Sequence, residues 1–208
     1  METGRHLPTD FAIEPNFIKI GSGTLVFDGD VVKGYNYYAA RLEVHAGTAI
    51  VNGSWDAADG RFDVFSGGTL GGTGTISVSQ YLYNEWGGTI APGDITGDRI
   101  GTLNVSGTGG NVGFNDSTVN FEVGTTADKL AATGAFNVWA ASTANVANLG
   151  GIGITQDSSY TLIQAGSTSG MDNLTVNAAA PWTATKTATG LDIALDSGLD
   201  RGDFTVQE

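Results

Sequence analysis

The sequence predicts an all-β protein in which short strands stack into a parallel solenoid, and three observations carry that expectation. Gly-Thr pairs recur at Gly23-Thr24, Gly47-Thr48, Gly68-Thr69 and Gly88-Thr89, and the interval tightens slightly along the chain. A period of about 20 residues filled with short alternating segments is how stacked coils look in a sequence. "RLEVH" (Arg41 to His45) and "RFDVF" (Arg61 to Phe65) repeat one apolar alternation a single period apart, and Leu82 follows Phe62 by the same step. No stretch carries a glycine-free apolar stripe at i, i+3, i+4 and i+7 over the length that a helix requires.

Along the chain, "METGRHLPTDF" lacks the apolar core of a signal peptide, so the protein is either cytoplasmic or a mature or recombinant form of an exported one, and the second is favoured. "FAIEPNFIKI" (Phe11 to Ile20) alternates like a strand ahead of the first Gly-Thr coil. Residues 1–20 are therefore read as an N-terminal arm that donates a strand to a neighbouring copy through Phe11, Ile13, Phe17 and Ile18.

Residues 21–181 are read as the solenoid. Alternation turns Leu42, Val44, Phe62 and Val64 inward and Arg41, Glu43, His45, Arg61 and Asp63 to solvent, with Leu42, Phe62 and Leu82 in one column. Asn84 interrupts an apolar column. "GGTLGGTGTI" (Gly67 to Ile76) reads as two strand pieces and a corner, since glycine takes the positive φ of corners and β-branched threonine suits the flanking strands. "PGDITGDR" (Pro92 to Arg99) reads as a loop protruding from one corner, and "ADKLAATGAF" (Ala127 to Phe136) as a strand and a corner. From Trp182, "WTATKTATG" and "LDIALD" alternate around a glycine, so residues 182–208 are read as a capping hairpin and tail. In that tail Phe204 and Val206 form a second spare strand, and together the two ends suggest a head-to-tail filament.

Composition narrows the partners. The chain has 22 acidic and 9 basic residues, a net charge of -13, which repels nucleic acid and anionic membrane surfaces. No run approaches the roughly 20 apolar residues of a membrane-spanning helix. The absence of cysteine removes disulfides, thiolate nucleophiles and cysteine zinc sites.

At this point the residues show a likeness. "GSGTLVFDG", "AGTAIVNGS", "SGGTLGGTGTISV", "GGTIAPGD" and "IGTLNVSG" resemble the autotransporter-associated β-strand repeat of bacterial autotransporter passengers, from about Gly21 to Leu195. The later "SYTLIQAGSTSGMDNLTV" resembles the end of such a passenger. The resemblance implies a right-handed parallel β-helix, exported and displayed on a bacterial surface. The amphipathic strands of an outer-membrane barrel do not follow Leu195, and "IAPGDITGDRIGTL" is longer than the family pattern. The repeat is scaffold and transfers no catalytic residues.

Candidate chemistry is sparse. His6 and His45 are the two histidines, one in a polar stretch and one outward on a strand, and no G-x-S-x-G elbow offers a serine partner. Asp56, Asp59 and Asp63 with Arg61 are the nearest set to a polysaccharide-cleaving centre. A solvated turn accounts for them better. "DGD" (Asp28 to Asp30) and "GDITGD" (Gly93 to Asp98) offer carboxylates for a weak Ca2+ site at most, so no metal, cofactor or catalytic residue is expected. Tyr35, Tyr37 and Tyr38, with Trp55, are the candidate glycan-binding rings. The leading expectation is a secreted or cell-surface, non-enzymatic structural solenoid that associates with itself. A carbohydrate-binding or adhesive module is the alternative, and a polysaccharide-cleaving β-helix comes third.

Overall fold

The computed structural model describes residues 5–6, 11–13, 16–33, 41–57, 60–93, 100–149, 158–179 and 182–195. Within them the chain is a parallel β-helix in which each coil lays one strand on each of three sheets, A, B and C. The first coil comprises β1 (Arg5–His6), β2 (Phe11–Ile13) and β3 (Asn16–Lys19), and the second β4 (Thr24–Phe27), β5 (Asp30–Lys33) and β6 (Arg41–Val44). The third is β7 (Gly47–Val51), β8 (Ser54–Ala57) and β9 (Phe62–Val64), and the fourth β10 (Gly68–Gly72), β11 (Thr75–Val78) and β12 (Tyr81–Glu85). The fifth is β13 (Thr89–Pro92), β14 (Thr102–Ser106) and β15 (Asn111–Asn115), and the sixth β16 (Thr118–Val123), β17 (Lys129–Ala132) and β18 (Ala135–Val138). The seventh is β19 (Ser142–Asn148), β20 (Ser159–Gln164) and β21 (Ser167–Ser169), after which β22 (Leu174–Ala178) adds once more to sheet A.

The expected hairpin closes the stack. β23 (Trp182–Thr187) and β24 (Gly190–Leu195) pair antiparallel, and β24 pairs antiparallel with β20, so sheet B ends in a reversal of direction. "ADKLAATGAF" is a strand and a corner as read: β17 and β18 flank Thr133 and Gly134. The only helix among the described residues is a single 3-10 turn at Met171–Asn173.

The register confirms the column read from the repeat. Leu42 pairs with Phe62 and Phe62 with Leu82, and all three are fully buried. The column continues through Val112 and Phe136, so the chain advances by unequal lengths while each step adds one coil. The longest of these steps runs from Leu82 to Val112, and its surplus falls between β13 on sheet A and β14 on sheet B, where the sequence placed its loop. Asn84 belongs to the neighbouring inward column of Val44, Val64, Phe114 and Val138. Its side chain is buried and Nδ2 donates to the Thr118 carbonyl at 2.8 Å, fastening β12 to the corner where β16 begins.

The glycine-rich motif also resolves. Gly67 takes φ +85°, which an L side chain rarely adopts, while a β-carbon on Gly68 would lie 2.2 Å from the Val44 carbonyl oxygen of the coil below. The threonine after them joins a ladder: Thr24, Thr48, Thr69, Thr89, Thr118, Thr143 and Thr175 stand opposite one another on sheet A. Beside it, Asn145 Nδ2 donates to Asn120 Oδ1 and Asn177 Nδ2 to Asn145 Oδ1, both at 3.0 Å.

The described strands of the segment read as an N-terminal arm form the first coil. β2 pairs with β5 and β3 with β6, both parallel and inside the same chain. Phe17 packs edge-on against Phe27 and Trp55, with ring centroids 5.9 and 6.3 Å apart, so it serves the core rather than a neighbouring copy. Ile18, one residue on, points outward and is 53% exposed.

Candidate functional site: the outer face of sheet C

Strand alternation projects three side-chain columns from the outer face of sheet C. One residue past the inward Val44, Val64, Asn84, Phe114 and Val138 stand His45, Phe65, Glu85, Asn115 and Trp139, in that order along the solenoid axis. Glu43, Asp63, Tyr83, Gly113 and Asn137 form the middle column, and Arg41, Arg61 and Tyr81 begin the third.

At one end the face is ionic. Asp63 Oδ2 accepts from Arg41 Nε at 2.6 Å and from Arg61 Nε at 3.0 Å, while Arg41 Nη1 lies 3.0 Å from Glu43 Oε1. Glu43 Oε2 in turn accepts from His45 Nε2 at 2.7 Å. Asp63 points outward as alternation requires, yet it is 0% exposed, because the two long arginine side chains from its own and the preceding coil close over it. Alternation alone leaves Asp63 exposed to solvent, and the two arginines bury it. Its second oxygen, Oδ1, has no hydrogen-bond partner.

Farther along the axis the face becomes aromatic. Tyr81, Tyr83 and Trp139 form one cluster, with ring centroids 5.0, 5.4 and 5.7 Å apart. Trp139 reaches the tyrosines by lying across Gly113, where a β-carbon would stand 2.3 Å from the indole. Glycine at 113 is thus what permits the plate to form. The Trp139 side chain remains 47% exposed. The Arg61 guanidinium sits 4.9 Å from the centre of the Tyr83 ring and joins the ionic end to this plate. Burial lifts the Tyr83 phenol above its ordinary value, and the positive charge of Arg61 works against that rise. Toward the first coils His45 and Phe65 stack face to face, with centroids 4.6 Å apart and 24° between ring planes, so each covers one face of the other. In the same outward column as His45 and Phe65, Asn115 Nδ2 donates to Glu85 Oε2 at 3.1 Å.

The sequence candidates fare unevenly. Trp55 is 0% exposed and wedged among Phe27, Phe62 and Phe17, so it offers a glycan no ring face. Its alternation with Asp56 on β8 turns the indole inward. Tyr35, Tyr37, Tyr38, Phe204 and Val206 lie outside the described residues, as do Asp59, Asp94 and Asp98. Phe11 and Ile13 lie on β2, which is paired within the chain, and His6 on β1. Asp56 belongs to sheet B and Asp63 to sheet C, so these two carboxylates do not share a face. Among the described residues no three His, Asp or Glu side chains form a group able to hold a metal ion. Among the same residues no helix is long and apolar enough to cross a membrane. Phe65, Tyr81, Tyr83 and Trp139 are not among the site candidates of the sequence, although stacking outward positions coil on coil aligns His45 with Phe65. Compared with known proteins, the chain matches no family model and no curated protein sequence.

Proposed function

We propose that this protein is a non-enzymatic β-helix that binds carbohydrate on the outer face of sheet C and works outside a bacterial cell. The observation that carries the reading is the exposed Trp139 ring held over Gly113 against Tyr81 and Tyr83. An exposed indole propped against two tyrosines offers the C–H face of a pyranose a contact surface at little conformational cost. Flanking carboxylate, amide and guanidinium groups supply directional partners for sugar hydroxyls. The repeat resemblance agrees with an exported scaffold. A head-to-tail filament is the second reading: β1, β2 and β3 stand at the ends of their sheets, and among the described residues each is paired on one edge alone.

A glycan panel probed with the full chain tests this reading. The wild type is expected to retain at least one neutral glycan, and Trp139→Ala to weaken that binding by about tenfold or more with little change in melting temperature. A panel with no bound glycan at high protein concentration, or equal binding by the variant, overturns it.

A further inference from the structure

We infer that the outer face of sheet B carries a binding site of its own, a groove over Ala131 that takes a uronate sugar with its carboxylate on Lys129. The site goes beyond the sheet C reading and does not rest on it. On β17 the inward Leu130 is flanked by Lys129 and Ala131, which alternation turns outward. Ala131 pairs with Asn104 on β14 and with Gln164 on β20, so its methyl group is the low point between two longer polar side chains. Leu162 and Ile163 are both buried, and the outward row of β20 therefore skips from Thr161 to Gln164 and leaves a gap beside Lys129. The resulting depression holds about 640 Å³, within the range of small-molecule sites.

The chemistry of the lining selects the ligand. None of its residues is acidic, although the chain has 22 acidic residues against 9 basic ones. Asp128, next to Lys129 in sequence, is buried and accepts from the Gly101 and Glu122 amides, both at 2.8 Å, while Asp192 of the hairpin accepts from the Thr161 hydroxyl. Among the described residues the Lys129 ammonium is left with one long hydrogen bond, to Gln164 Oε1 at 3.4 Å, and no carboxylate. Gln164 keeps Nε2 to donate, and Asn104, whose Nδ2 reaches the Gly74 carbonyl at 3.4 Å, keeps Oδ1 to accept. The hydroxyls of Thr75, Thr102 and Ser106 line the same groove. One ammonium matches one carboxylate, whereas a phosphoryl group brings a charge of about -1.5 to -2 and suits the fork of an arginine. The surrounding amides and hydroxyls match the hydroxyls of a pyranose, and an acidic peptide would leave most of them unused. At physiological salt the Debye length is about 8 Å, so Lys129 acts within the groove while distant carboxylates are screened.

Titration calorimetry on the full chain at physiological salt would compare galacturonate and glucuronate with galactose and glucose, and add trigalacturonate and an aspartate-rich peptide. At least one uronate is expected to bind about tenfold or more tighter than its neutral counterpart. Lys129→Met, which keeps the apolar stem and removes the charge, should abolish that preference, and Lys129→Arg should restore most of it. Ala131→Leu, which fills the low point from an outward position, should weaken uronate binding about tenfold, and melting curves separate a filled groove from a lost fold. A gain in affinity from galacturonate to trigalacturonate names a polysaccharide as the source and no gain a free sugar, and either agrees with the groove. Equal affinity for uronate and neutral sugar, uronate binding that survives both Lys129→Met and Ala131→Leu, tighter binding of the peptide, or no uronate bound at high sugar concentration overturns the inference. Uronate binding lost in Trp139→Ala but kept in Lys129→Met would place the sugar on sheet C and overturn it equally, while the glycan panel decides the sheet C reading on its own.

Discussion

Sheets A and C share one backbone, one set of coils and one register, yet their outer faces are chemically unlike. On sheet A the same residue type recurs from coil to coil, threonine across seven strands and asparagine across three. Stacked asparagines spend their amides on one another. On sheet C the residue type changes at almost every coil, so partners are found sideways and diagonally, as Arg61 and Arg41 find Asp63 and Trp139 finds the tyrosines. Like residues in register close a face on itself. Unlike residues leave ring faces and oxygens pointing outward, and the groups that could meet a ligand are on the second kind of face.

The largest effect expected comes from what the two faces have in common, the interior. Phe62→Asp would place an unpaired carboxylate in the middle of the column between Leu42 and Leu82 and cost several kcal/mol, read as loss of cooperative melting. A variant that melts like the wild type would dissolve the distinction between inward and outward columns. Next comes Asp63→Ser, which leaves Arg41 and Arg61 without their shared acceptor. Because both arginines are partly exposed, a loss of about 1–3 kcal/mol is expected from denaturant unfolding. A loss within experimental error would mean that the ionic end of sheet C is decoration. On sheet A, Asn145→Ala removes a link between Asn120 and Asn177 and should cost about 1 kcal/mol while leaving glycan binding untouched. Impaired glycan binding by that variant would erase the contrast between the faces.

The smallest effect is alkaline. The folded state holds the Tyr83 proton more tightly than the unfolded chain, whose phenol titrates near 10.0. The stability this provides is present below the unfolded value and is lost as pH rises through that value and the higher folded one. Tyr83→Phe should therefore flatten the fall in melting temperature above about pH 10. An unchanged alkaline slope would show that Tyr83 is not the group responsible.

Much of the fold was legible because a solenoid turns sequence distance into spatial neighbourhood. Leu42, Phe62 and Leu82 recur at an interval that the eye can follow, and Gly67-Gly68-Thr69 reveals the corner through what only glycine tolerates. The site was harder to read for the same reason. Trp139 meets Tyr81 and Tyr83 only after the longer steps from Leu82 to Val112 and from Val112 to Phe136 have broken the count, so no fixed spacing connects them. Trp55 misled because proximity to Asp56 and Arg61 along the chain suggested a shared surface, whereas alternation sends the indole into the core. Asp63 was oriented correctly, but orientation does not give burial when long side chains of an adjoining coil fold over a short one. A segment ahead of a repeat looks the same in the sequence whether it pairs with its own chain or with another, and here β2 and β3 pair with their own chain.

The unequal coil steps have a mechanical consequence. Under tension a stack of this kind peels coil by coil, and each released coil adds its own contour of about 3.4 Å per residue. The steps from Leu42 to Phe62 and from Phe62 to Leu82 would each lengthen the tether by about 70 Å, and the step from Leu82 to Val112 by about 100 Å. The longer step keeps the same register in the columns, so the difference in length shows only when its coil gives way. A load pulling on this protein would meet a ratchet with teeth of unequal length.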